Sequence, residues 1–205
     1  MSSTIKNIIF DFGDIFINLD KSAPEREFTK LGMDIPLPVV NALNESYEIG
    51  EIDTKTFLNQ YQKWLPEVSK EDIISAWNAI LKDFPWERME FLKELKQRGD
   101  YHLFLLSNTN NLHIDSVKDT VPFFKEFKAC FHKFYLSQEI NLRKPNPEIY
   151  EYVLQKNNLN PAETLFVDDL KQNTDAAAQL GIQVWNLKVG EEEVTQLFEI
   201  NPQFQ

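Results

Sequence analysis

The sequence is poor in cysteine: its 205 residues include a single one, Cys130. A lone thiol cannot form an intramolecular disulfide, and such usage is typical of a reducing compartment. Long apolar runs are also missing, because no run approaches the ~20 residues that a membrane-spanning helix requires. The first residues, Met1–Asn7, lack a charged-then-apolar signal pattern. We therefore expect a cytoplasmic protein that has no membrane partner.

Positive charge is scarce relative to negative charge. Lys and Arg total 21 residues against 32 Asp and Glu, which gives a formal net charge of −11. A chain this acidic is repelled by nucleic-acid phosphates and by anionic membrane surfaces, so neither is expected as a partner. An anionic small molecule would have to be bound locally, by a few cations, by backbone amides or by a metal ion.

Repeats and low-complexity segments are missing too, and glycine occurs only 6 times. Hydrophobic residues make up 42% of the chain and charged residues 26%, which is ordinary globular composition and excludes a collagen-like or disordered chain. The length suffices for one domain with a small insert, but not for two full-sized domains.

Short apolar runs alternate with longer amphipathic stretches along most of the chain. Each run has the length of a buried strand. The runs are Ile5–Phe10, Tyr101–Leu106, Phe131–Leu136, Thr164–Val167 and Ile182–Leu187. The helical stretches between them are Glu87–Arg98 before Gly99, Glu148–Lys156 after Asn146-Pro147, and Asn173–Leu180 before Gly181. The alternation predicts an α/β fold with a parallel sheet covered on both faces.

The stretch from Lys21 to Pro85 interrupts this alternation. It has no convincing strand but has helical patterns near Pro38–Glu48, Thr54–Trp64 and Ser69–Asp83. An insert at the carboxyl end of the first strand lies over the crevice where open α/β sheets bind ligands. We therefore predict a helical cap over residues 18–86 and a core formed by residues 1–17 and 87–205.

Polar side chains follow the predicted strands where their carboxyl ends should meet. Asp11 follows the first strand, Ser107–Asn110 follow the second and Asp168-Asp169 follow the fourth, while Lys144 lies in the loop beyond the third. Clustered carboxylates repel one another unless a cation is present, and Mg²⁺ prefers oxygen ligands. An Asp with its ordinary pKa of ~3.9 is ionised at neutral pH and can attack phosphorus without a general base. The cluster therefore indicates phosphoryl transfer through an aspartyl-phosphate.

Four motifs in this order resemble the haloacid dehalogenase superfamily. They are Asp11-Phe12-Gly13-Asp14, Leu106-Ser107-Asn108, Arg143-Lys144-Pro145 and Phe166-Val167-Asp168-Asp169 with Asn173 four residues later. Within the superfamily the chain is most similar to small bacterial sugar-phosphate phosphatases of the glucose-1-phosphatase type. Three segments support this similarity: Ser107–Asn110, Tyr135-Leu136-Ser137-Gln138 and Gln179-Leu180-Gly181-Ile182.

The resemblance implies a Rossmann-like core with strand order 5-4-1-2-3, an inserted helical cap, and a small phosphorylated metabolite as substrate. It implies Asp11 as the catalytic nucleophile and Lys144 as a second catalytic residue. The implied Mg²⁺ ligands are Asp11, the carbonyl of Gly13 and Asp169, with Asp168 in support. The residues implied to bind the phosphoryl group are Ser107, Asn108 and Lys144, and Asn173 is implied to brace the metal loop.

Gly13 departs from the pattern of most phosphatases in the superfamily, which carry a second Asp two residues after the nucleophile as general acid and base. Asp14 is a possible replacement. The departure leaves open a phosphosugar-binding or regulatory protein with little turnover. A phosphoglucomutase also stays open, although the missing Asp disfavours it. A metal-independent haloacid dehalogenase is a further alternative, in which the Asp168-Asp169 pair would have no purpose.

A few other positions carry weaker expectations. His113, six positions after Ser107, could approach the crevice, but it is expected on the surface of a helix. The resemblance alone suggests that Glu48, Gly50 and Glu51 mark the turn of the cap that faces the substrate. The acidic run Glu191–Glu193 is expected to form the first turn of a last helix.

Overall fold

A computed structural model describes residues 4–204, so the expectations for Met1–Asn7 and for both ends of the core fall partly outside the described residues. The strands are β1 Asn7–Phe10, β2 His102–Ser107, β3 Lys133–Leu136, β4 Thr164–Asp168 and β5 Gln183–Asn186. All of the pairings between them are parallel, in the order β3-β2-β1-β4-β5. The predicted α/β class, strand order and Rossmann-like sheet are confirmed.

The register of the sheet aligns the carboxyl ends of its three central strands. Phe10 in β1 lies opposite Leu105 in β2 and Val167 in β4. The backbone N–H of Asp11 continues this pairing by donating to the carbonyl of Val167 at 2.9 Å. The residues that immediately follow these positions therefore lie at one edge of the sheet.

The described residues contain eleven α-helices in addition to the sheet. Four follow β1: α1 Ala23–Lys30, α2 Leu37–Glu48, α3 Thr54–Trp64 and α4 Lys70–Asn78. The others are α5 Trp86–Arg98, α6 Asn111–Thr120, α7 Phe124–Ala129, α8 Ser137–Ile140, α9 Pro147–Asn157, α10 Lys171–Gln179 and α11 Leu197–Ile200. Short 3₁₀ turns lie at Pro161–Glu163, Val194–Gln196 and Pro202–Phe204.

Alternate residues of the strands pack on opposite faces of the sheet, as the twofold period of a strand requires. Ile8 and Phe10 belong to one apolar cluster, with α5, α6 and α7, whereas Ile9 belongs to another, with α9 and α10. A third cluster lies among α1–α4 and contains the stacked rings of Tyr47 and Phe57, with centroids 4.2 Å apart. The division at residues 18 and 86 stays a prediction, but α1–α4 have an apolar core of their own.

The last predicted helix of the insert is shorter than expected. It ends at Asn78 because the next residues pair with the segment that leaves β1. Leu19 and Leu81 form an antiparallel bridge, and hydrogen bonds of 2.9 Å join Asn18 to Lys82 and to Asp83. The two segments that connect the sheet to α1–α4 therefore run side by side.

The acidic run near the end of the chain does not form the first turn of a helix, so that expectation is wrong. Glu193 instead caps the 3₁₀ turn that begins at Val194, and its carboxylate receives Arg88 Nε at 2.9 Å. Glu192 accepts a hydrogen bond from the indole of Trp185 at 3.2 Å. Within residues 4–204, no helix is both long and apolar enough to cross a membrane.

Candidate active site

Three carboxylates meet where β1 and β4 end. Asp11 follows β1, Asp168 closes β4, and Asp169 comes next. One oxygen from each lies within 4.8 Å of the others. Lys144, from the loop between α8 and α9, places Nζ 2.7 Å from Asp11 Oδ1 and 2.7 Å from Asp168 Oδ2. The residues predicted from distant parts of the sequence thus lie in one cluster, although their individual roles stay predictions.

The backbone of Lys144 is held by the side chain of Asn108. The Lys144 N–H donates to Asn108 Oδ1 at 2.9 Å, and Asn108 Nδ2 donates to the Lys144 carbonyl at 2.9 Å. This paired contact fixes the loop that carries the buried ammonium. Asn108, predicted to bind the phosphoryl group, therefore also positions Lys144.

Asp168 is surrounded by protein donors. Its Oδ1 accepts from the backbone of Leu170 at 2.8 Å, and both of its oxygens lie 3.0 Å from Asn173 Nδ2. Tyr150 in turn donates to the Asn173 carbonyl at 2.9 Å. Asn173 therefore lies where the resemblance predicts it, in contact with the Asp168 carboxylate of the metal loop. These contacts leave Asp11 and Asp169 with more capacity to bind a metal directly than Asp168 has.

Burial makes the negative charge of this cluster costly. Loss of hydration raises the pKa of Asp11 to about 7, while Lys144 opposes the rise and the Asp168 charge adds to it. This rise agrees with the expectation that clustered carboxylates need a cation beside them, and the ordinary pKa expected of Asp11 therefore depends on that cation. Burial opposes the Lys144 charge, but Asp11 and Asp168 outweigh it and raise the pKa of Lys144.

The donor set fits a hard divalent cation. Three carboxylates within 4.8 Å supply the oxygen ligands that Mg²⁺ prefers, and a cation offsets the repulsion and burial that raise the pKa of Asp11. Asp169 shares this need, because burial raises its pKa as well, against the opposing effect of Lys21. The chemistry of the cluster thus agrees with Mg²⁺ as the cofactor.

Lys21 is a site residue that the sequence analysis missed. Its Nζ lies 2.5 Å from Asp169 Oδ2 and 2.8 Å from Asp14 Oδ2. The other oxygen of Asp14 accepts from the backbone of Leu19 at 2.9 Å. Because both oxygens of Asp14 are engaged, the geometry does not support this residue as the missing proton donor. No motif in the sequence marks Lys21, which lies ten residues beyond Asp11.

Gly13 is closely covered by Leu19. A Cβ at position 13 would lie 2.6 Å from Leu19 Cδ1. The space in which a longer side chain would begin is therefore filled by an apolar group. The packing of Leu19 therefore disfavours an acidic side chain at position 13.

A cavity of about 100 Å³ lies beside Gly13 and is lined by Glu48, the last residue of α2. Its apolar walls are Phe12, Ile17, Leu19, Ile80, Leu81, Ile114 and Val117. Its polar groups are Glu48, Ser107, Asn108, Thr109 and His113. The cavity therefore combines the predicted phosphoryl-binding residues Ser107 and Asn108 with the carboxyl end of α2.

The carboxyl end of α2 is docked on the loops of the sheet. Ser137 Oγ lies 2.6 Å from the Glu48 carbonyl and accepts from the backbone of Thr109 at 2.9 Å. Asn141 Nδ2 donates to the Ile49 carbonyl at 2.8 Å. These contacts place Glu48 at the cavity.

His113 lies at the junction of α4 and α6, so the expectation of a surface position is wrong. Its ring stacks on Trp77, with centroids 5.0 Å apart and planes 14° apart. Asn110 Oδ1 accepts from the His113 backbone, so its amide nitrogen faces His113 Nδ1 at 3.0 Å as a donor. His113 Nε2 then carries the proton and donates to the Trp77 carbonyl at 3.3 Å. Burial lowers the pKa of His113 to about 4.

Solved structures resemble this fold over nearly its whole length. A HAD family enzyme of Bacteroides thetaiotaomicron, solved as a magnesium complex, is 33% identical with a TM-score of 0.84, over 93% of this chain and 96% of the other. The same enzyme has been solved with magnesium and inorganic phosphate, at 33% identity and a TM-score of 0.80, over 92% and 96% of the two chains. A HAD-like hydrolase of Porphyromonas gingivalis is 26% identical with a TM-score of 0.83, over 97% and 98%.

Two relatives with similar sequences are named as phosphatases. A D-ribitol-5-phosphate phosphatase of Bacteroides thetaiotaomicron is 29% identical over 195 residues, which cover 91% of this chain and 93% of the relative. A phosphoglycolate phosphatase of Haemophilus influenzae is 25% identical over 90% and 79% of the two chains. The family model described as haloacid dehalogenase-like hydrolase matches residues 5–181, most of the chain. Motifs, sheet order, clustered carboxylates and family match agree, and the chain belongs to the haloacid dehalogenase-like hydrolases.

Proposed function

We propose that this protein is a Mg²⁺-dependent phosphatase that hydrolyses a small phosphomonoester, a sugar or polyol phosphate, through an aspartyl-phosphate on Asp11. The observation that carries the proposal is the contact of Asp11 with Lys144, 2.7 Å apart, beside Asp168 and Asp169. The similarity to phosphatases of D-ribitol 5-phosphate and of phosphoglycolate supports it. A cytoplasmic setting is part of the proposal, because Cys130 is the single cysteine.

The chemistry follows from the side chains. The Asp11 carboxylate attacks phosphorus while the bond to the leaving alcohol breaks, and water then cleaves the aspartyl-phosphate. The ammonium of Lys144 and the hydroxyl of Ser107 stabilise the charge on the transferring phosphoryl oxygens. Asp11, the Gly13 carbonyl and Asp169, with support from Asp168, would hold Mg²⁺, which when bound would supply further positive charge near those oxygens.

The size of the cavity supports a small leaving group. A volume of about 100 Å³ is smaller than the ~150 Å³ of an apolar cavity that binds benzene. We therefore propose a small alcohol as the leaving group.

The proposal is tested by phosphate release from D-ribitol 5-phosphate, glucose 1-phosphate, phosphoglycolate and p-nitrophenyl phosphate, with Mg²⁺ and with EDTA. We expect turnover of an aliphatic ester with Mg²⁺ only, and loss of at least ~10³-fold in Asp11→Asn, because that variant lacks the nucleophile. Undiminished turnover in Asp11→Asn would reject Asp11 as the nucleophile.

One observation favours a second candidate, a phosphosugar-binding protein with little turnover. Leu19 fills the space beside Gly13, so the usual second acid is missing. Calorimetric binding of the same esters without any phosphate release would favour this candidate over the enzyme.

A further inference from the structure

The proposed reaction needs a proton donor that the Asp11–Gly13 segment does not supply. An alcohol with an ordinary, high pKa is a poor leaving group unless its oxygen is protonated as the bond to phosphorus breaks. Gly13 has no side chain, and Asp14 is engaged by Lys21 and Leu19. The donor must therefore come from another wall of the cavity.

Among the described residues that line the cavity, two carry side chains that titrate in an accessible range, Glu48 and His113. His113 is excluded by its own hydrogen bonds. Its Nδ1 accepts from Asn110, and its Nε2 donates to the Trp77 carbonyl. His113 could give its Nε2 proton to a substrate only after its hydrogen bond to the Trp77 carbonyl had broken.

Glu48 is differently placed. It ends α2, its backbone is held by Ser137 beside the loop that carries Ser107, and it lines the cavity with a side chain that is 24% exposed. One oxygen, Oε2, lies 3.3 Å from Arg143 Nη2, and the Arg143 guanidinium also binds Glu45 at 2.7 Å. Arg143 can therefore hold the Glu48 carboxyl in place and stabilise its charge after proton loss.

We propose that Glu48 is the general acid of the reaction, donating its proton to the leaving alcohol and later accepting one from water. This inference rests on the proposed phosphatase function. In the first step the Glu48 O–H bond breaks, and the proton goes to the ester oxygen as that oxygen departs with the electron pair of its bond to phosphorus. In the second step water loses a proton to the Glu48 carboxylate and adds to phosphorus, which releases Asp11 and phosphate.

The surroundings of Glu48 suit this role. Burial raises the pKa of Glu48 to about 7, with Glu45 on its own helix adding to the rise and Arg143 on the facing loop opposing it. His113, the other titratable group at the cavity, is neutral at that pH, because burial lowers its pKa to about 4. A carboxyl that titrates near the working pH is an efficient general acid and base.

The test compares leaving groups in Glu48→Gln. For the aliphatic ester of the panel with the highest kcat/KM, we expect a loss of roughly 10²-fold or more. For p-nitrophenyl phosphate, whose phenolate leaves without protonation, we expect a loss of less than tenfold. Equal losses for the two esters, or no loss for either, would overturn the assignment, because a structural or binding role does not depend on the leaving group.

The matched control is Glu45→Gln, which removes the other partner of Arg143 without changing the cavity wall. It should retain the ratio of the two kcat/KM values. A second readout is the pH profile: kcat/KM of the wild type for the aliphatic ester should fall above about pH 7, and Glu48→Gln should lack that limb. An unchanged profile in the variant would reject Glu48 as the acid.

Two further measurements distinguish a wrong general acid from a wrong proposed function. Binding of inorganic phosphate to Glu48→Gln, measured by calorimetry with Mg²⁺, shows whether the variant retains an intact site. If Asp11→Asn is inactive while Glu48→Gln turns over the aliphatic ester normally, the general acid is wrong and the proposed function stands. If Asp11→Asn is fully active, the proposed function itself is wrong.

Discussion

Lys144 sets the charge balance of the site as a single residue. Its Nζ contacts Asp11 and Asp168 at 2.7 Å each, and its side chain is only 1% exposed. A buried ammonium is costly by itself, but removing it would take from two buried carboxylates, Asp11 and Asp168, the cation that both contact. We therefore expect a neutral residue at position 144 to lower both the stability of the fold and the proposed phosphatase activity.

Lys144→Met tests this directly, since it keeps most of the chain length and removes the charge. We expect a loss of roughly 10²–10³-fold in kcat/KM, as for removal of a donor to a developing charge. Stability should fall by about 3–5 kcal/mol, because a buried ion pair loses one partner. The measurements are steady-state kinetics and urea denaturation. Lys118→Met, on the exposed face of α6, should change neither quantity by much, and equal losses in both variants would contradict the role of Lys144.

Gly13 offers a second prediction at the level of one residue. Gly13→Asp would restore the acid found in most phosphatases of the superfamily, but its Cβ would lie 2.6 Å from Leu19 Cδ1. We expect Gly13→Asp alone to lose about 1–3 kcal/mol of stability through overpacking. The double variant Gly13→Asp/Leu19→Ala should recover part of that loss, measured by the same urea titration. Strict additivity of the two single changes would mean that Leu19 does not set the residue at position 13.

The docking of α2 on the sheet depends on a glycine. Gly50 has φ +70°, and a Cβ there would overlap the carbonyl oxygen of Gln138. Gly99 has nearly the same φ, +71°, and no heavy atom within 4 Å of the corresponding position. Alanine substitutions at Gly50 and Gly99 therefore distinguish two losses of folding stability. Both include the cost of a left-handed backbone conformation, and only Gly50→Ala adds the overlap with Gln138.

Gly99→Ala should lose about 1–2 kcal/mol, the cost of a left-handed conformation for a residue with a Cβ. Gly50→Ala should lose more, because α2 must also move away from Gln138, and its kcat/KM should fall while that of Gly99→Ala stays near the wild-type value. Unfolding titrations and kinetics on the two variants check this. Indistinguishable variants would show that the close approach of Gly50 to Gln138 does not position α2 on the sheet.

The junction of α4 and α6 makes the stability of the protein sensitive to acid. Burial lowers the pKa of His113 to about 4, below its ordinary 6.5. The unfolded chain therefore takes up a proton below pH 6.5, whereas the folded chain does so only near pH 4. The stability that the neutral ring contributes is complete above pH 6.5 and is lost as the pH falls to about 4, by at most about 3 kcal/mol.

His113→Phe keeps a ring against Trp77 and removes the titration. We expect the fall in unfolding free energy between pH 7 and pH 4.5 to be smaller in this variant than in the wild type, although the variant starts lower for lack of the Asn110 hydrogen bond. Urea titrations at several pH values provide the measurement. Parallel curves for the two proteins would contradict a neutral, buried His113.

The sequence was sufficient for the elements whose ends carry strong local signals. The five apolar runs coincide with the strands to within one or two residues, and Gly99 ends α5 as predicted. The Asp11, Lys144 and Asp168 cluster also follows from the rule that parallel strands align their carboxyl ends. These features depend on local pattern and on sheet topology, both of which are visible in the chain.

Features that depend on contacts between distant segments could not be predicted in this way. Lys21 reaches Asp169 because the segment after β1 turns back over the site, and no local motif encodes that turn. His113 reads as a surface residue until Trp77 from α4 covers it. Likewise, the raised pKa of Asp11 follows from burial, which the sequence does not specify.

For the molecule as a whole, the charge distribution makes cation binding a determinant of stability. The chain carries a net charge of −11, and three of its carboxylates lie within 4.8 Å of one another at the site. Self-repulsion of this kind destabilises a compact fold, and a bound cation relieves it. The folded chain brings Asp11 to the Asp168-Asp169 pair, which lies more than 150 positions away in sequence, so Mg²⁺ should bind the folded state selectively.

Mg²⁺ should therefore raise the melting temperature. At free Mg²⁺ of one hundred times its Kd, the gain is about 2.7 kcal/mol, or roughly 5–10 °C for a chain of this size. Differential scanning fluorimetry against MgCl₂, with NaCl at matched ionic strength as the salt control, measures the shift. Asp169→Asn should abolish most of it, whereas Asp175→Asn, at an exposed carboxylate that pairs with Lys171 at 2.6 Å, should retain it. A shift that survives in Asp169→Asn, or that NaCl reproduces, would mean that Mg²⁺ acts by general screening and not at this cluster.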